Sequence, residues 1–213
     1  MNKDEKLAKE VIKKLRQALR KQGEHFIFPE ELKEKMQYVT ALDLSELSFP
    51  LSQKALREVI ANWQHGTHLI LRDTTVTKEI ADLLCELTDL RHLDLCRTNS
   101  DDSILTKVAK CTQLKSLILD GCLKITTLGP LASCKKLQIL EFLLCYQIVD
   151  LQPLIACKEL QMLVMSFCAK ITHLQPLCHC KKMQSLCLRG CHGVTAAEKA
   201  ILQHALPHLA IEE

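Results

Sequence analysis

The sequence predicts an α/β solenoid, in which a coil of similar units places short parallel strands side by side in one sheet. Three observations predict this fold. A motif of 23 residues recurs in consecutive copies in the second half of the chain. Each copy begins with the alternation of apolar and other residues that is typical of a strand with one buried face. A single copy cannot bury its own leucines, so the copies are expected to stack on one another.

The repeat is clearest in three consecutive units, whose shared pattern is LxxLxLxxCxxIxxLxPLxxCxx, where x is any residue, and in a fourth unit that keeps the first half of this pattern. Their first residues are Leu114, Leu137, Leu160 and Met183. In the same frame, further units begin at residues 39, 66, 90 and 206. This many units in one frame exceed what chance produces, and repeats of this length are typical of stacked architectures.

The pattern resembles the leucine-rich repeat family, whose signature is LxxLxLxx(N/C)xL in units of about 20 to 29 residues. The cysteine at the ninth position is similar to that of the repeats in small bacterial effector proteins and protozoan members. The resemblance implies a right-handed leucine-rich-repeat solenoid, or horseshoe, with a parallel sheet on its concave face. It also implies a non-enzymatic module that binds a partner protein on that face.

We expect the chain to have two parts, an N-terminal helical cap over residues 1–36 and a leucine-rich repeat domain of about eight repeats over residues 37–213. Within the cap, residues 3–21 have the pattern of an amphipathic helix, with Val11 and Leu15 on its apolar face. The first unit of a solenoid exposes one apolar side, and the predicted helix is expected to cover it.

The segments that return from one strand to the next are predicted to change along the chain. The early units are 27 and 24 residues long, which leaves room for helices in LSQKALREVIANW and TVTKEIADLLCEL. The 23-residue units are expected to return through tight turns. Pro130, Pro153 and Pro176 suit the first position of such a turn, where no N–H is needed.

The unit that begins at residue 66 lacks the usual first leucine, and a tryptophan just before it is expected to compensate. Gly66 replaces the first leucine of its unit and leaves a void in the predicted core. Trp63 precedes it on the inward side, and we expect its large side chain to fill this void.

The 12 cysteines follow the repeat rather than a disulfide framework. One ladder occupies the ninth position of the units and a second lies three residues before each unit: Cys122, Cys145, Cys168 and Cys191, then Cys111, Cys134, Cys157 and Cys180. At the ninth position, a small side chain that forms weak hydrogen bonds can meet the backbone of the turn. Because no apolar signal segment is present, we expect reduced, packed thiols in a cytoplasmic protein.

Two alternatives for the cysteines stay open at this point. Disulfides could join adjacent units, since the strand spacing of about 4.8 Å is near the Cα separation of disulfides. A zinc site is suggested by CHC at 178–180 with Cys187, Cys191 and His192 nearby, although the repeat frame points these side chains in different directions. We expect neither a metal nor any other cofactor.

Composition argues against two classes of function. The formal net charge of +3 is too small to indicate nucleic-acid binding, and aromatic residues that would stack on bases make up only 4% of the chain. No run of apolar residues is long enough for a membrane span, which needs about 18 or more. We therefore expect a protein partner, with self-association as an alternative.

The outward face of the predicted sheet is unusually apolar in the middle of the chain. Because side chains alternate along a strand, the third, fifth and seventh positions of each unit face outward. Six large apolar residues in this region or at the strand exit form what we call the concave patch: Ile118, Ile139, Leu143, Met162, Val164 and Phe167. Charged residues around it are predicted to form a polar rim: Arg72, Asp94, Asp120, Glu141 and Arg189. Contiguous exposed apolar surface usually marks an interaction site.

A catalytic interpretation is weaker. His92, Asp94 and Cys96 share one face of one strand, and a Cys–His pair can form a nucleophile. Same-face neighbours on a strand are about 6.6 Å apart, however, which is beyond a hydrogen bond. We therefore favour a non-enzymatic binding module, either a bacterial effector delivered into a host cell or a housekeeping assembly factor or adaptor.

Overall fold

The computed structural model describes residues 3–22, 26–47 and 52–213. Eight short strands pair in chain order into one parallel sheet. The strands are β1 (Ala41–Asp43), β2 (His68–Ile70), β3 (His92–Asp94), β4 (Ser116–Ile118), β5 (Ile139–Glu141), β6 (Met162–Val164), β7 (Ser185–Cys187) and β8 (Ala210–Glu212). Equivalent leucines of successive units lie opposite one another, as Leu93, Leu117 and Leu140 do. The predicted parallel sheet is confirmed.

The return segments change along the chain as predicted. Helices return in the early units and after β7: α3 (Gln53–Ala61), α4 (Lys78–Glu86), α5 (Asp102–Val108) and α6 (Ala196–Ala205). Their N-caps are side chains that accept a backbone N–H, as Ser52 and Thr77 do for α3 and α4. Three 23-residue units return instead through short 3₁₀ segments, Gly129–Ser133, Gln152–Ala156 and Gln175–His179, each with a proline in its first turn.

The N-terminal segment packs against the first unit. Helix α1 (Lys3–Gln22) contacts β1 and α2 (Glu30–Met36), and Val11 and Leu15 on its apolar face are fully buried. The helix therefore covers apolar surface that the first unit would otherwise expose. The division into residues 1–36 and 37–213 stays a prediction. None of the helices in the described ranges has both the length and the apolar character needed to cross a membrane.

Trp63 occupies the space that Gly66 leaves. A Cβ atom added to Gly66 would lie 2.1 Å from the Trp63 ring, so no larger residue fits there. The ring is fully buried, and its indole N–H donates to the carbonyl oxygen of Val39 at 2.6 Å. This contact confirms the pairing of tryptophan and glycine predicted from the sequence.

The cysteine ladders bond to the backbone of the preceding unit. In the ninth-position ladder, each thiol donates to a carbonyl oxygen at a sulfur–oxygen distance of 2.9 to 3.3 Å. The pairs are Cys122–Leu95, Cys145–Leu119, Cys168–Phe142 and Cys191–Met165. All 12 cysteines are free. Within the described ranges, no three His, Cys, Asp or Glu side chains are grouped so that they could hold a metal ion.

The last unit departs from the predicted frame. A start at Leu206 would align His208 with Ser185, but in the structure Ala210 lies opposite Ser185 and Ile211 opposite Leu186. Our frame for this unit is therefore wrong by two residues. The return segment explains the shift, because α6 has 10 residues where the preceding unit has a 3₁₀ segment of 5. A shift of two preserves the alternation of a strand, so Leu209 is still buried.

The inward positions generate a first prediction. Leu140 is fully buried in the middle of the stack, whereas Gln138, two residues earlier, is only partly buried. Leu140→Ala is expected to lower the free energy of unfolding by about 2–5 kcal/mol, because it removes apolar contacts and leaves a cavity. Denaturant unfolding of Leu140→Ala and Gln138→Ala measures this difference, and equal losses would contradict the inward assignment.

The cysteines generate a second prediction. Ten of them are buried, and burial raises the pKa of Cys168 to about 12, so its reactive thiolate is scarce near pH 7. In native protein prepared without reductant, a thiol reagent is expected to modify the partly buried Cys85 and Cys178 first. All 12 thiols should react after denaturation. A markedly lower total would contradict reduced cysteines and indicate disulfides.

Candidate partner-binding face

The middle strands bring four residues of the concave patch together. Ile139 lies opposite Met162 in the cross-strand register of β5 and β6. In the neighbouring row, Ile118 and Val164 lie on either side of Glu141. Adjacent strands are about 4.8 Å apart, so these side chains form one surface. Met162 is 38% exposed and the three aliphatic residues are partly buried, so the surface is accessible but tightly packed.

The remaining two members of the concave patch lie where strands end. Leu143 is partly buried, and its backbone N–H donates to the Asp120 carboxylate at 2.8 Å. Phe167 is 49% exposed. Its ring lies against the next unit at Gly190, where an added Cβ would be 2.5 Å from the ring. Gly190 thus provides the space that holds the Phe167 ring in place.

The backbone at the strand exits forces some side chains outward. The eighth residue of six successive units has a positive φ: Asp73, Arg97, Gly121, Leu144, Phe167 and Gly190. Glycine adopts this conformation freely, whereas Leu144 and Phe167 each adopt it at a cost of about 1–2 kcal/mol. The N–H groups of these two residues donate to Ser166 and Arg189 carbonyls of the next unit, at 3.0 and 2.7 Å, which stabilises the strained conformation.

A second apolar surface at this edge was missed by sequence reasoning. Leu123 is 56% exposed and Tyr146 is 47% exposed, and both occupy the tenth position of adjacent units. We call Leu123, Leu144, Tyr146 and Phe167 the exit edge. The sequence did contain a signal for this exposure. The tenth position of other units holds small or polar residues, Thr75, Asn99, Ala169 and His192, which is typical of a position that faces solvent.

The predicted polar rim differs from the observed arrangement at Asp94. This carboxylate is 4% exposed rather than at a solvated margin. It accepts from the Arg72 guanidinium at 2.5 Å and from the backbone N–H of Cys96 at 2.9 Å. The ion pair satisfies the buried carboxylate, so Asp94 and Arg72 support the sheet. At the opposite end, Arg189 forms an ion pair with Glu212.

Glu141 is also placed differently from the prediction, whereas the rim position of Asp120 stays a prediction. Neither carboxylate forms an ion pair with any residue in the described ranges. Burial raises the pKa of Asp120. Burial, and then the nearby carboxylates of Asp120 and Asp94, raise the pKa of Glu141. Since Glu141 lies between two aliphatic residues, it is a central group of the apolar surface rather than part of its rim.

The residues of the catalytic alternative do not form a nucleophilic site. The rings of His68 and His92 stack with their centroids 4.0 Å apart, and burial lowers the pKa of each imidazole. Burial raises the pKa of the Cys96 thiol, which disfavours the thiolate that a nucleophile requires. Within the described part of the chain, neither imidazole is hydrogen-bonded to Cys96; His68 instead bonds the Thr67 hydroxyl.

Comparison with known proteins identifies the fold. No family model and no curated protein matches the sequence. The structure is similar to that of internalin C2 from Listeria monocytogenes, with 20% identity and a TM-score of 0.68 over 92% of this chain and 80% of that one. A second internalin (inlF) of that species has 16% identity and a TM-score of 0.55 over 95% and 81%. A leucine-rich-repeat protein of Leptospira interrogans has 19% identity and a TM-score of 0.61 over 87% and 51%.

These likenesses confirm the leucine-rich-repeat fold that the sequence predicts. At 16 to 20% identity they concern the fold alone. What the chain binds must therefore be argued from its own concave patch and exit edge.

The raised pKa of Glu141 generates a third prediction. The folded state binds the proton of the Glu141 carboxyl group more tightly than the unfolded state does. The stabilisation from this group is therefore fully present below the unfolded pKa of about 4.3, and it is lost as the pH rises through the higher folded pKa. Glu141→Gln is therefore expected to raise the free energy of unfolding at pH 7. The gain should shrink as the pH falls to about 3, where Glu141 is largely protonated in both states.

Denaturant unfolding at both pH values measures this effect. Glu86→Gln provides the control, because Glu86 is an exposed glutamate on α4. A Glu141→Gln variant that is less stable than the parent protein at pH 7 would contradict the inferred environment of the carboxylate.

Proposed function

We propose that the chain is a non-enzymatic module that binds a partner protein on its concave face, through the concave patch and the adjoining exit edge. The observation that carries this proposal is that large apolar side chains stay accessible on outward positions of a rigid sheet. The inward positions of the same strands, such as Leu117, Leu140 and Leu163, already fill the core. Contiguous apolar surface of this kind is typical of interaction sites.

The N-terminal helix is an alternative cover for this surface, but it lies elsewhere. Helix α1 packs at β1 and borders a groove that includes Ala41, His68 and Ile70 of the first two strands. Strand β4 is three strands farther along the sheet, roughly 14 Å from β1 at the usual strand spacing. This distance supports an external occupant for the patch on β4–β6.

The sheet suits protein recognition energetically. Fully burying an exposed aliphatic or aromatic side chain contributes about 1.5–3 kcal/mol, and the partly buried residues of the patch would each contribute a fraction of this. Strand side chains are held by neighbours on both sides, so little additional ordering is required on binding. The patch therefore provides a preorganised apolar centre for a partner.

A nucleic-acid partner has less support than a protein. Unpaired Asp120 and Glu141 carboxylates lie within the concave face and would repel phosphates. Some lysines near the turns already have partners, as Lys182 has in Glu159 and Lys136 has in Gln113. The enzyme alternative is likewise weak, because burial raises the pKa of the Cys96 thiol and so disfavours the thiolate that a nucleophile requires.

The biological setting has two forms within this proposal. A bacterial effector acting in a host cell and a housekeeping assembly factor or adaptor would use the same binding surface. The free, mostly buried cysteines support a reducing compartment, and we propose the cytoplasm, which for an effector is that of the host cell. Identifying the partner distinguishes the two forms.

A charge pair placed in the concave patch tests the proposal. Ile139→Asp combined with Val164→Lys is expected to abolish partner binding, because it replaces two apolar contacts of the patch with charged side chains that lose water on binding and no longer fit an apolar partner surface. Partners are first captured from source cells and identified by mass spectrometry, and binding of the purified partner is then measured by calorimetry. Thermal melting reports whether the fold is retained.

The matched control is Thr88→Asp with Thr112→Lys. These threonines are exposed at equivalent turn positions of adjacent units, outside the concave face. Lost binding with an unchanged melt, together with normal binding by the control, supports the proposal. Retained binding would place the partner elsewhere, and a collapsed melt would show that the patch belongs to the protein's own core.

A further inference from the structure

We infer that the concave face recognises a cationic side chain flanked by apolar groups, presented by a basic, amphipathic segment of the partner protein. This inference rests on the proposed function and adds the chemical class of the partner. It follows from where the carboxylates lie, which residues surround them and which cations are already paired.

The arrangement places acidic groups inside an apolar surface. Glu141 is flanked across the strands by Ile118 on one side and Val164 on the other. Ile139, on the same strand and the same face, and its neighbour Met162 extend the apolar surface along the next row. A ligand group that reaches the Glu141 carboxylate must therefore pass between apolar side chains.

Asp120 provides a second carboxylate beside the first. It lies two residues beyond Ile118 on the same outward face, in the unit adjacent to that of Glu141. One of its oxygens accepts the Leu143 N–H at 2.8 Å, which orients the group. After burial, the nearby Asp120 carboxylate is the next cause that raises the pKa of Glu141, as expected for two close like charges.

The nearby arginines already form ion pairs within the protein. Arg72 pairs with the buried Asp94, and its charge only partly offsets the charges of Asp120 and Glu141, whose pKa values stay raised. Arg97 pairs with Asp73. Arg189 pairs with Glu212, as described above. Asp120 and Glu141 thus form a local negative site in a protein with a formal net charge of +3.

A partner cation would complete this site. Partly buried carboxylates without a cation are unfavourable, and an arginine or lysine from outside would compensate them. Arginine has several N–H donors in a planar fork and could bond both carboxylates. The flanking aliphatic residues would exclude water from the ion pair, while an acidic partner would meet like charge and be rejected.

A second copy of this chain is the competing occupant. Helix α1 carries basic residues beside an apolar face, which is the chemistry that the site fits. Its apolar residues Val11 and Leu15 are buried within its own chain, however, so a second copy would have to displace the helix before presenting it. The need to displace helix α1 favours a separate partner over a second copy of the chain, and self-association is one of the outcomes that the experiment tests.

A random 12-residue peptide library displayed on phage is the probe, with the immobilised full-length chain as bait. Selected peptides are expected to contain Arg or Lys flanked by apolar residues. For synthetic versions, Asp120→Asn with Glu141→Gln should weaken binding about tenfold or more by calorimetry, and rising salt should also weaken it. Asparagine can still accept the Leu143 N–H, so the local backbone contact is retained.

The same carboxylate variant separates recognition from structural damage. It should melt at a higher temperature than the parent protein at pH 7 while binding more weakly, because it removes two poorly solvated charges. Glu86→Gln should change neither property appreciably, since Glu86 is on the helical side of the repeats. Weaker peptide binding together with a lowered melting temperature would show that the variant damages the fold, and it would overturn the inference.

The remaining outcomes separate this inference from the proposed function. Peptides that lack basic residues but lose binding with Ile139→Asp and Val164→Lys would overturn the inference and leave the proposed function intact. Peptides unaffected by that charge pair would count against both. Failure to select peptides that depend on the two carboxylates would overturn the inference, as would a dimer in solution that the carboxylate variant dissociates.

Discussion

The structure depends on one constraint, which is that each unit can bury its leucines only against the neighbouring units. Parallel pairing in constant register places Leu93, Leu117 and Leu140 in a single inward row. The same register places outward side chains in rows on the concave face. A slip of one residue would exchange the two faces, so the apolar core and the binding surface are determined together.

The turns must satisfy backbone groups that the short strands leave unpaired. Ninth-position thiols do so by donating to carbonyls of the preceding unit, as Cys145 does to Leu119. Thr74 performs a related role within its own unit, where its hydroxyl donates to Leu71 at 2.7 Å. The cysteines are therefore explained by packing and weak hydrogen bonds, and a repeated thiol need not indicate catalysis or metal binding.

The candidate binding face combines features that reduce stability. Leu144 and Phe167 hold strained backbone conformations while directing apolar side chains outward at the exit edge. Glu141 is a poorly solvated carboxylate between aliphatic neighbours. Strain and uncompensated charge on a rigid surface are typical of functional sites, where the folded protein is preorganised for a ligand. Here they occur beside one another on the middle units.

The spacing of the leucines was sufficient to predict the parallel sheet, the inward rows and the pairing of Trp63 with Gly66, because these features follow from local alternation and a constant period. It did not show that Asp94 is buried on Arg72, that Glu141 is central, or that β8 is shifted by two residues. Those features depend on contacts between units and on the length of a return helix. A linear pattern can specify which face a carboxylate occupies, but its burial and its cation are determined by neighbours more than 20 residues away in the sequence.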